Sequence, residues 1–241
     1  MVDMHSHILP GIDDGAESVE ESIAMLSEAY AQGVRYIVAT PHCHVVDDED
    51  VEAFLEKREQ AYNTLKKALE QTNIPVPEIL LGAEVALNPY LSQLSHLDKL
   101  RIGNTKCILL EPMFENMCDT VGEWIYEIGL KGLTPIVAHI ERYTDEALEK
   151  MGIFQVDAIM QLNASALLTL HDRRRVRKFM KENRIFVMGS DMHNMHLRKC
   201  EIGKSCKRSK IIIGIDTKAW FSTNARTLLN LPKYEKDGAG T

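Results

Sequence analysis

Short apolar runs rich in β-branched residues recur along the chain, and each run ends in polar residues. Such runs are typical of buried strands. Stretches with helical spacing separate most of them, and this alternation predicts a parallel sheet covered by helices. Seven strands are predicted in this way: VDMHSH (2–7), VRYIVATPH (34–42), PEILLGAEV (77–85), CILLEP (107–112), LTPIVAH (133–139), DAIMQLN (157–163) and RIFVMGSDMH (184–193).

The clearest helix lies between the first two predicted strands. Ser18 and Glu21 give the S-x-x-E pattern of a capping box, apolar residues follow at helical spacing, and Gly33 can end the helix. Residues 51–72 predict a second long helix, whose Glu and Lys residues are most simply a solvated face.

Two segments in the last third of the chain carry less regular helical patterns. In RRRVRKFMKENR (173–184), the apolar Val176, Phe179 and Met180 share one side and basic residues occupy the other. This segment is most simply a surface helix, and the alternative is a basic rim for an acidic substrate. The segment RKCEIGKSCKRSKIIIGIDT (198–217) gives a poor amphipathic helix.

The chain has 241 residues, 45% of them hydrophobic, which is enough for one sizeable core. Since no repeat or linker divides it, we predict one α/β domain over residues 1–232 and a flexible tail over 233–241. Seven or eight βα units that close on themselves form a TIM-like barrel, whose active site lies at the carboxyl ends of the strands. If the chain forms such a barrel, the polar residues that end its strands should share one chemistry, that of an active site.

Composition narrows the classes of partner and location. A formal net charge of −7 argues against nucleic acid. Five cysteines without a CxxC pair fit reduced thiols better than a disulfide framework. No long apolar run or signal-peptide pattern is present, so we expect a cytoplasmic protein that is not inserted in a membrane. The oligomeric state stays open.

The polar residues that end the predicted strands are potential ligands of a divalent metal ion. Residues i and i+2 of a strand point to the same face, so His5 can act with His7, and Asp191 with His193. A single histidine at a strand end is more often structural, but a carboxylate buried after an apolar run needs a cation or hydrogen bonds to offset its desolvation. The combined set predicts a metal centre: His5, His7, His42, Glu84, Glu111, His139, Asp191 and His193.

These eight side chains exceed the four ligands of a structural zinc site, so two or three ions fit better. Mixed imidazole and carboxylate ligation suits Mn²⁺, Fe²⁺ or Zn²⁺. Such a cluster lowers the pKa of a bridging water and neutralises phosphoryl oxygens, which predicts phosphate-ester hydrolysis by the resulting hydroxide. Arg142 would bind the phosphate, with an ordinary ion pair to Glu141 or Asp145 as the alternative, and Arg198 is a second candidate.

Several longer motifs surround these residues: DMHSHILPGIDDG (3–15), ATPH (39–42), GAE (82–84), LLEP (109–112), AHIERY (138–143), SDMHN (190–194) and FSTNARTLL (221–229). Together they resemble the PHP (polymerase and histidinol phosphatase) superfamily, and within it the CpsB/YwqE-like branch of bacterial manganese-dependent tyrosine-protein phosphatases. The HxH pair is shared with many amidohydrolase barrels, whereas AHIERY combined with SDMHN is more specific. The resemblance extends over nearly the whole chain.

The resemblance implies a distorted (β/α)7 barrel with a trinuclear site. The first ion would be held by His5, His7 and Asp191, and Glu84 would bridge it to a second ion. The implied remaining ligands are Glu111 and His139 on the second ion, and His42, His193 and Asp14 on the third. Asp14 has an alternative role in a turn before the first helix. His44 repeats the HxH spacing after His42 but is not counted as a ligand.

Arg142, Arg198, Asp191 and His193 are the catalytic candidates, and the two arginines would hold the substrate phosphate. The implied substrate is the phosphotyrosine tail of a membrane-associated bacterial tyrosine kinase that controls capsular or exopolysaccharide assembly. This step rests on the resemblance alone.

Three competing functions are considered. A cysteine-type phosphatase needs C-x5-R, and no Arg stands six residues after any cysteine, so that mechanism is excluded. A small-molecule phosphatase of the histidinol-phosphate type would use the same metals with a different pocket. A non-catalytic protein that binds a phosphotyrosine tail would not need the full ligand set.

Overall fold

The structure is a computed structural model that describes residues 1–113, 118–182, 185–213 and 216–233. Every strand pairing within these ranges is parallel, as the alternating sequence pattern predicts. The strands form two sheets, with orders β1-β2-β4 and β3-β5-β6-β7-β8-β9. Their bounds are β1 Val2–Ser6, β2 Tyr36–Ala39, β3 His42–Cys43, β4 Glu78–Leu81, β5 Glu84–Leu87, β6 Cys107–Pro112, β7 Thr134–Val137, β8 Ile159–Asn163 and β9 Ile185–Gly189.

All seven predicted strands are present, but two of them are broken. The second is interrupted at Thr40 and Pro41, and the third at Gly82 and Ala83. Pro41 has no amide hydrogen to donate to a neighbouring strand. Each break divides its strand between the two sheets, because β2 and β4 pair with each other in one sheet while β3 and β5 pair in the other.

The first and last strands of the chain are also joined. Ser6 and Met192 form an isolated parallel bridge, and the His7 amide donates to the Met192 carbonyl over 2.9 Å. The Asp191 amide donates to the His5 carbonyl over 2.8 Å. A continuous closed sheet is not formed by the described strands, so the structure confirms a parallel α/β fold and leaves barrel closure as a prediction.

Seven α-helices occur in the described ranges: α1 Val19–Ala31, α2 Asp48–Leu69, α3 Val121–Leu130, α4 Asp145–Lys150, α5 Leu170–Lys181, α6 Ile202–Ile213 and α7 Thr217–Leu228. The capping prediction for α1 is confirmed, because Ser18 Oγ accepts from the Glu21 amide over 3.2 Å. Gly33 follows the helix at φ 92°, a conformation that favours glycine. Within these ranges no helix combines the length and apolarity needed to cross a bilayer.

Two predicted helices begin three residues earlier than expected. Helix α2 starts at Asp48 because Asp47 caps it, accepting from the Asp50 amide over 2.8 Å. Helix α5 covers 170–181 rather than 173–184, and its Val176, Phe179 and Met180 are buried as predicted. The weak pattern at 198–217 does form α6, whose buried face includes Ser205, Cys206 and Ser209. All of the predicted tail except Lys233 lies outside the described residues.

Candidate metal centre

The nine residues predicted as ligands lie near one another: His42 and Glu84 begin β3 and β5, Asp14 lies in the loop before α1, and the other six lie near or after the carboxyl ends of β1, β6, β7 and β9. Burial is nearly complete for His5, His7, Glu84, His139 and His193, each with at most 1% exposure. The breaks in the second and third predicted strands place His42 and Glu84 directly opposite each other in the β3–β5 register. Strand ends from both sheets therefore meet around one polar cluster.

Glu84 lies at the centre of this cluster. Its Oε2 lies 3.2 Å from both His5 Nε2 and His7 Nε2, and 3.1 Å from His42 Nδ1. Its other oxygen, Oε1, lies 2.8 Å from His139 Nε2. One carboxylate is thus positioned to bridge ions held by different histidines.

Among the residues that the structure describes, ligand atoms that could hold a metal ion occur in three overlapping groups, with the atoms of each group within 4.8 Å of one another. The groups are His5, His7 and Glu84; His42, Glu84 and Glu111; and His7, Asp14, His42 and His193. His139 joins the second group through Glu111 Oε1, at 3.2 Å from its Nε2. The overlap differs from the implied ligand assignment, because His7 and His42 each belong to two groups.

The arrangement of these residues suits bound metal ions better than it suits hydrogen bonds among the residues themselves. Three imidazole nitrogens surround Glu84 Oε2, yet this buried oxygen has no hydrogen bond of acceptable geometry. The buried His193 Nε2 also lacks a hydrogen bond. Buried ligand atoms that converge without hydrogen bonds of good geometry are the arrangement expected around cations.

The titration properties of the cluster lead to the same conclusion. Burial opposes charge on both partners, but the mutual attraction of Glu84 and the histidines holds the pKa of Glu84 well below its usual range. Burial likewise disfavours the His5 imidazolium, yet Glu84 and Asp191 outweigh it and raise the pKa of His5 to about 9. Positive charge is therefore favoured here, and ions that displace these protons would supply it.

Asp191 lies between the two predicted phosphate-binding arginines. Arg198 Nη2 donates to Asp191 Oδ1 over 2.8 Å, and Arg142 Nη2 pairs with Oδ2. Burial opposes its ionisation, but His5, Arg142 and Arg198 keep the pKa of Asp191 far below its usual range. The alternative pairing of Arg142 with Glu141 or Asp145 is wrong, since its ion pairs with described side chains are to Asp191 and, at 4.0 Å, to Glu111.

His139 and Asp191 both adopt left-handed backbone conformations, with φ of 30° and 53°. Such conformations are uncommon for residues other than glycine and cluster at functional sites. Both residues lie just after a strand, His139 after β7 and Asp191 after β9, so these backbone conformations set the directions of the two side chains.

Asp14 and its neighbour Asp13 have different environments. Asp14 is 65% exposed, and its Oδ1 lies 3.3 Å from the Nε2 atoms of both His42 and His193. Asp13, which the sequence analysis did not select, accepts from His7 Nδ1 over 2.7 Å and from the His42 amide over 3.0 Å. Burial opposes its charge, but His7 lowers the pKa of Asp13 to about 2. Asp13 therefore orients His7.

Two amide side chains on β8 were also missed. Gln161 Oε1 lies 3.2 Å from His5 Nδ1 and accepts from the His139 amide over 2.7 Å. Gln161 Nε2 donates to Asn163 Oδ1 over 2.9 Å, and Asn163 Nδ2 donates to Asp191 Oδ2 over 2.8 Å. Their i, i+2 spacing at the end of a strand matches that of His5 and His7 and is the signal that could have found them.

His44, which is not in the predicted ligand set, is exposed. Its ring centroid lies 6.3 Å from that of His42.

Sequence comparison relates this chain to a known family and to named proteins. The family described as "Capsular polysaccharide synthesis, CpsB/CapC" matches residues 1–230. The tyrosine-protein phosphatase CpsB of Streptococcus agalactiae serotype V is 33% identical over 215 residues, which cover 82% of this chain and 85% of that protein. The tyrosine-protein phosphatase YwqE of Bacillus subtilis is 28% identical over 238 residues, covering 95% and 91% of the two chains.

A solved structure gives the same relationship in three dimensions. It comes from work on YwqE of Bacillus subtilis and CpsB of Streptococcus pneumoniae, described as unique metal-dependent tyrosine phosphatases. It superposes with a TM-score of 0.79 at 25% identity and covers 98% of this chain and 97% of that one. From the family match over almost its full length, the chain belongs to the CpsB/CapC family.

Proposed function

We propose that this protein is a metal-dependent protein-tyrosine phosphatase. The observation that carries the proposal is the convergence of His5, His7 and His42 on one oxygen of Glu84, with two arginines beside the same cluster. The relatives named tyrosine-protein phosphatases support the choice of substrate.

Mn²⁺ is the proposed metal, in two or three ions, and Fe²⁺ or Zn²⁺ would suit the same ligand types. The proposed ligands are His5, His7, Asp14, His42, Glu84, Glu111, His139, Asp191 and His193. When bound, such ions make a water nucleophilic near neutral pH and neutralise charge on the phosphoryl oxygens.

Arg142 and Arg198 would bind the phosphoryl group of the substrate. They are 35% and 37% exposed, and each contacts a different oxygen of Asp191. A guanidinium has five N–H donors, so each can hold Asp191 and still donate to a phosphate. Asp191 in this way fixes the two arginines in position before substrate arrives.

We propose that the imidazole of His193 is neutral at neutral pH. Burial disfavours its charge, and His7 and Arg198 add to this effect, so the pKa of His193 falls to about 4. A lone pair on its Nε2 is therefore available at neutral pH, next to Asp14 at 3.3 Å.

We also propose that residues 1–232 form one domain, a distorted (β/α)7 barrel. Counting β2 with β3, and β4 with β5, gives seven parallel strands in ring order, and the Ser6–Met192 bridge connects the last strand to the first. An active site at the carboxyl ends of the strands is the rule for such barrels.

The proposed substrate is the phosphotyrosine tail of a membrane-associated tyrosine kinase of capsular or exopolysaccharide assembly. The capsular description of the family supports this step. We place the reaction in the bacterial cytoplasm, which is consistent with five free thiols.

The test combines metal analysis of the purified protein with hydrolysis of a phosphotyrosine peptide. We expect activity with added Mn²⁺, its loss in EDTA and its recovery when Mn²⁺ is restored. Arg142→Ala should lower kcat/KM by about 100-fold, the scale of losing one transition-state donor. Arg101→Ala is the matched control, because Arg101 is 38% exposed and pairs with Asp98 at 3.2 Å.

Two results would contradict the proposal. One is activity that survives chelation but is lost on thiol alkylation. The other is faster hydrolysis of histidinol phosphate than of phosphotyrosine peptides, which would indicate a small-molecule phosphatase with the same metals.

A further inference from the structure

A cavity adjoins the metal centre on the side of α4 and α5. Its volume is about 530 Å³. Its lining comes from two segments: residues 141–145, which follow His139, and Arg174, Arg175 and Lys178 of α5. Arg142 lines this cavity and also pairs with Asp191, so one side chain connects the cavity to the metal centre.

The lining carries more positive than negative charge. Four cationic side chains, Arg142, Arg174, Arg175 and Lys178, are opposed by Glu141 and Asp145. Asp145 is already engaged, with Oδ1 2.5 Å from Arg175 Nε and Oδ2 3.7 Å from Lys178 Nζ.

The other carboxylate of the lining, Glu141, is also engaged, since its Oε2 accepts from the Asn163 amide over 3.2 Å. A cationic excess therefore remains, in a chain with a net charge of −7.

Two of the cationic groups have donors to spare. Arg174 is exposed and makes no ion pair with any side chain that the structure describes. Arg175 is held by Asp145 and by the Glu141 carbonyl, yet its buried Nη2 has no hydrogen-bond partner among the described residues. A buried guanidinium nitrogen without an acceptor is costly, and an anion that drew the Arg175 guanidinium towards the cavity would satisfy it.

We propose that this cavity is a subsite for an anionic group beside the phosphotyrosine of the substrate. The group is either a carboxylate or a second phosphoryl group on the same peptide, because guanidinium forks bind both. Its binding residues are Arg174, Arg175 and Lys178, with Arg142 as the boundary with the phosphotyrosine site. This inference rests on the proposed phosphatase function and adds a preference among its substrates.

The test uses the Mn²⁺-loaded enzyme and three phosphotyrosine peptides of one length. The first has alanine on both sides of the phosphotyrosine, the second has glutamate, and the third has one additional phosphotyrosine. The measured quantity is the ratio of kcat/KM on each anionic peptide to kcat/KM on the alanine peptide. For the doubly phosphorylated peptide, the first-turnover rate is used and normalised to the number of phosphotyrosines.

The variants are Arg174→Glu and, as matched control, Arg177→Glu. Arg177 is exposed on the same helix and does not line the cavity. We expect the wild-type ratio to exceed one for at least one anionic peptide and to fall about five-fold in Arg174→Glu, the scale of a surface ion pair. The Arg177→Glu ratio should equal that of the wild type.

The anionic peptide whose ratio exceeds one shows whether the anion is a carboxylate or a second phosphate. Wild-type ratios of one for both anionic peptides would overturn the subsite and leave the phosphatase function standing. An equal fall in Arg174→Glu and Arg177→Glu would also overturn it, because the effect would then be general electrostatics. No hydrolysis of any peptide would overturn the proposed function and the subsite together.

Discussion

Asp13 Oδ2 lies 2.7 Å from His7 Nδ1, so the first of two adjacent aspartates fixes the ring whose other nitrogen faces the metal centre. Carboxylates that orient ligating histidines typically change metal affinity by about 10- to 100-fold when removed. We therefore expect Asp13→Ala to weaken Mn²⁺ binding by about that factor, measured by competition with a chelator. A circular dichroism melt serves as the control for folding. Unchanged affinity in a folded variant would refute this role.

Gly189 has no room for a side chain beside the metal centre. A Cβ there would lie 2.4 Å from His5 Cβ and 3.0 Å from Gln161 Nε2. We expect Gly189→Ala to lower the free energy of unfolding by about 1–3 kcal/mol, as overpacking does, and to weaken Mn²⁺ binding because His5 must move. Denaturant titration and metal competition measure the two effects.

The matched control for Gly189 is Gly129, in α3, whose added Cβ would meet nothing within 4 Å. Gly129→Ala should raise the free energy of unfolding by about 0.5–1 kcal/mol, since alanine is the better helix former. Equal responses of the two variants would show that the close packing around Gly189 has no special effect.

Four of the five cysteines should resist alkylation in the native protein. Burial raises the pKa of the Cys43 thiol to about 12 and that of Cys206 to about 11. It also raises the pKa values of Cys107 and Cys200. Thiolates are therefore scarce at pH 8, and their fraction would rise only as the pH approaches these raised values.

Iodoacetamide at pH 8 should add at most one group per chain, on the half-buried Cys118, and phosphatase activity should persist. Intact-mass spectrometry counts the groups, and the urea-denatured protein, which should take up five, is the control. Loss of activity in step with modification of Cys43 would contradict this expectation.

The start of α2 gives a pH-dependent contribution to stability. Asp48 accepts from the His96 amide over 2.9 Å and from the Ser95 amide over 3.2 Å, and these bonds, the first above all, hold the pKa of Asp48 below its usual range. A lowered folded-state pKa means that the stabilisation is present above the unfolded-state pKa and is lost as the pH falls through the folded-state value.

Asp48→Asn should therefore be less stable than the wild type at pH 7, with the difference shrinking as the pH falls below about 4, the unfolded-state pKa, towards the lowered folded-state pKa. Glu49→Gln removes a charge from the same helical turn at an exposed position. If the stability loss of Glu49→Gln depends on pH in the same way as that of Asp48→Asn, the effect comes from the helix dipole rather than from the two hydrogen bonds. Urea titrations at several pH values measure it.

The fold class and the residues around the cluster follow from the sequence because they depend on local signals. A strand needs a run of apolar residues, and a ligand at its end is visible as a charged or imidazole residue, as at Glu84 and His139. The breaks after Ala39 and Leu81 are not visible in this way, because which sheet each half joins depends on neighbours far away in the chain.

The choice between Asp13 and Asp14 is also beyond local pattern. Both are aspartates in the same loop, and only the path of the backbone decides which one reaches His7. Gly15 shows how tightly that path is constrained, since a Cβ there would lie 2.3 Å from the His7 carbonyl. Gln161 and Asn163 were missed because neutral amides at a strand end carry no charge signal.

The hydrogen bonds between the first and last strands have a consequence for synthesis on the ribosome. The ribosome makes His5 first, and Asp191, whose amide donates to the His5 carbonyl, follows 186 residues later. A nascent chain that ends before β9 lacks the strand that completes this junction. The proposed ligands can therefore come together only after Asp191 and His193 have been translated, so a nascent chain that ends before β9 does not yet contain the whole cluster.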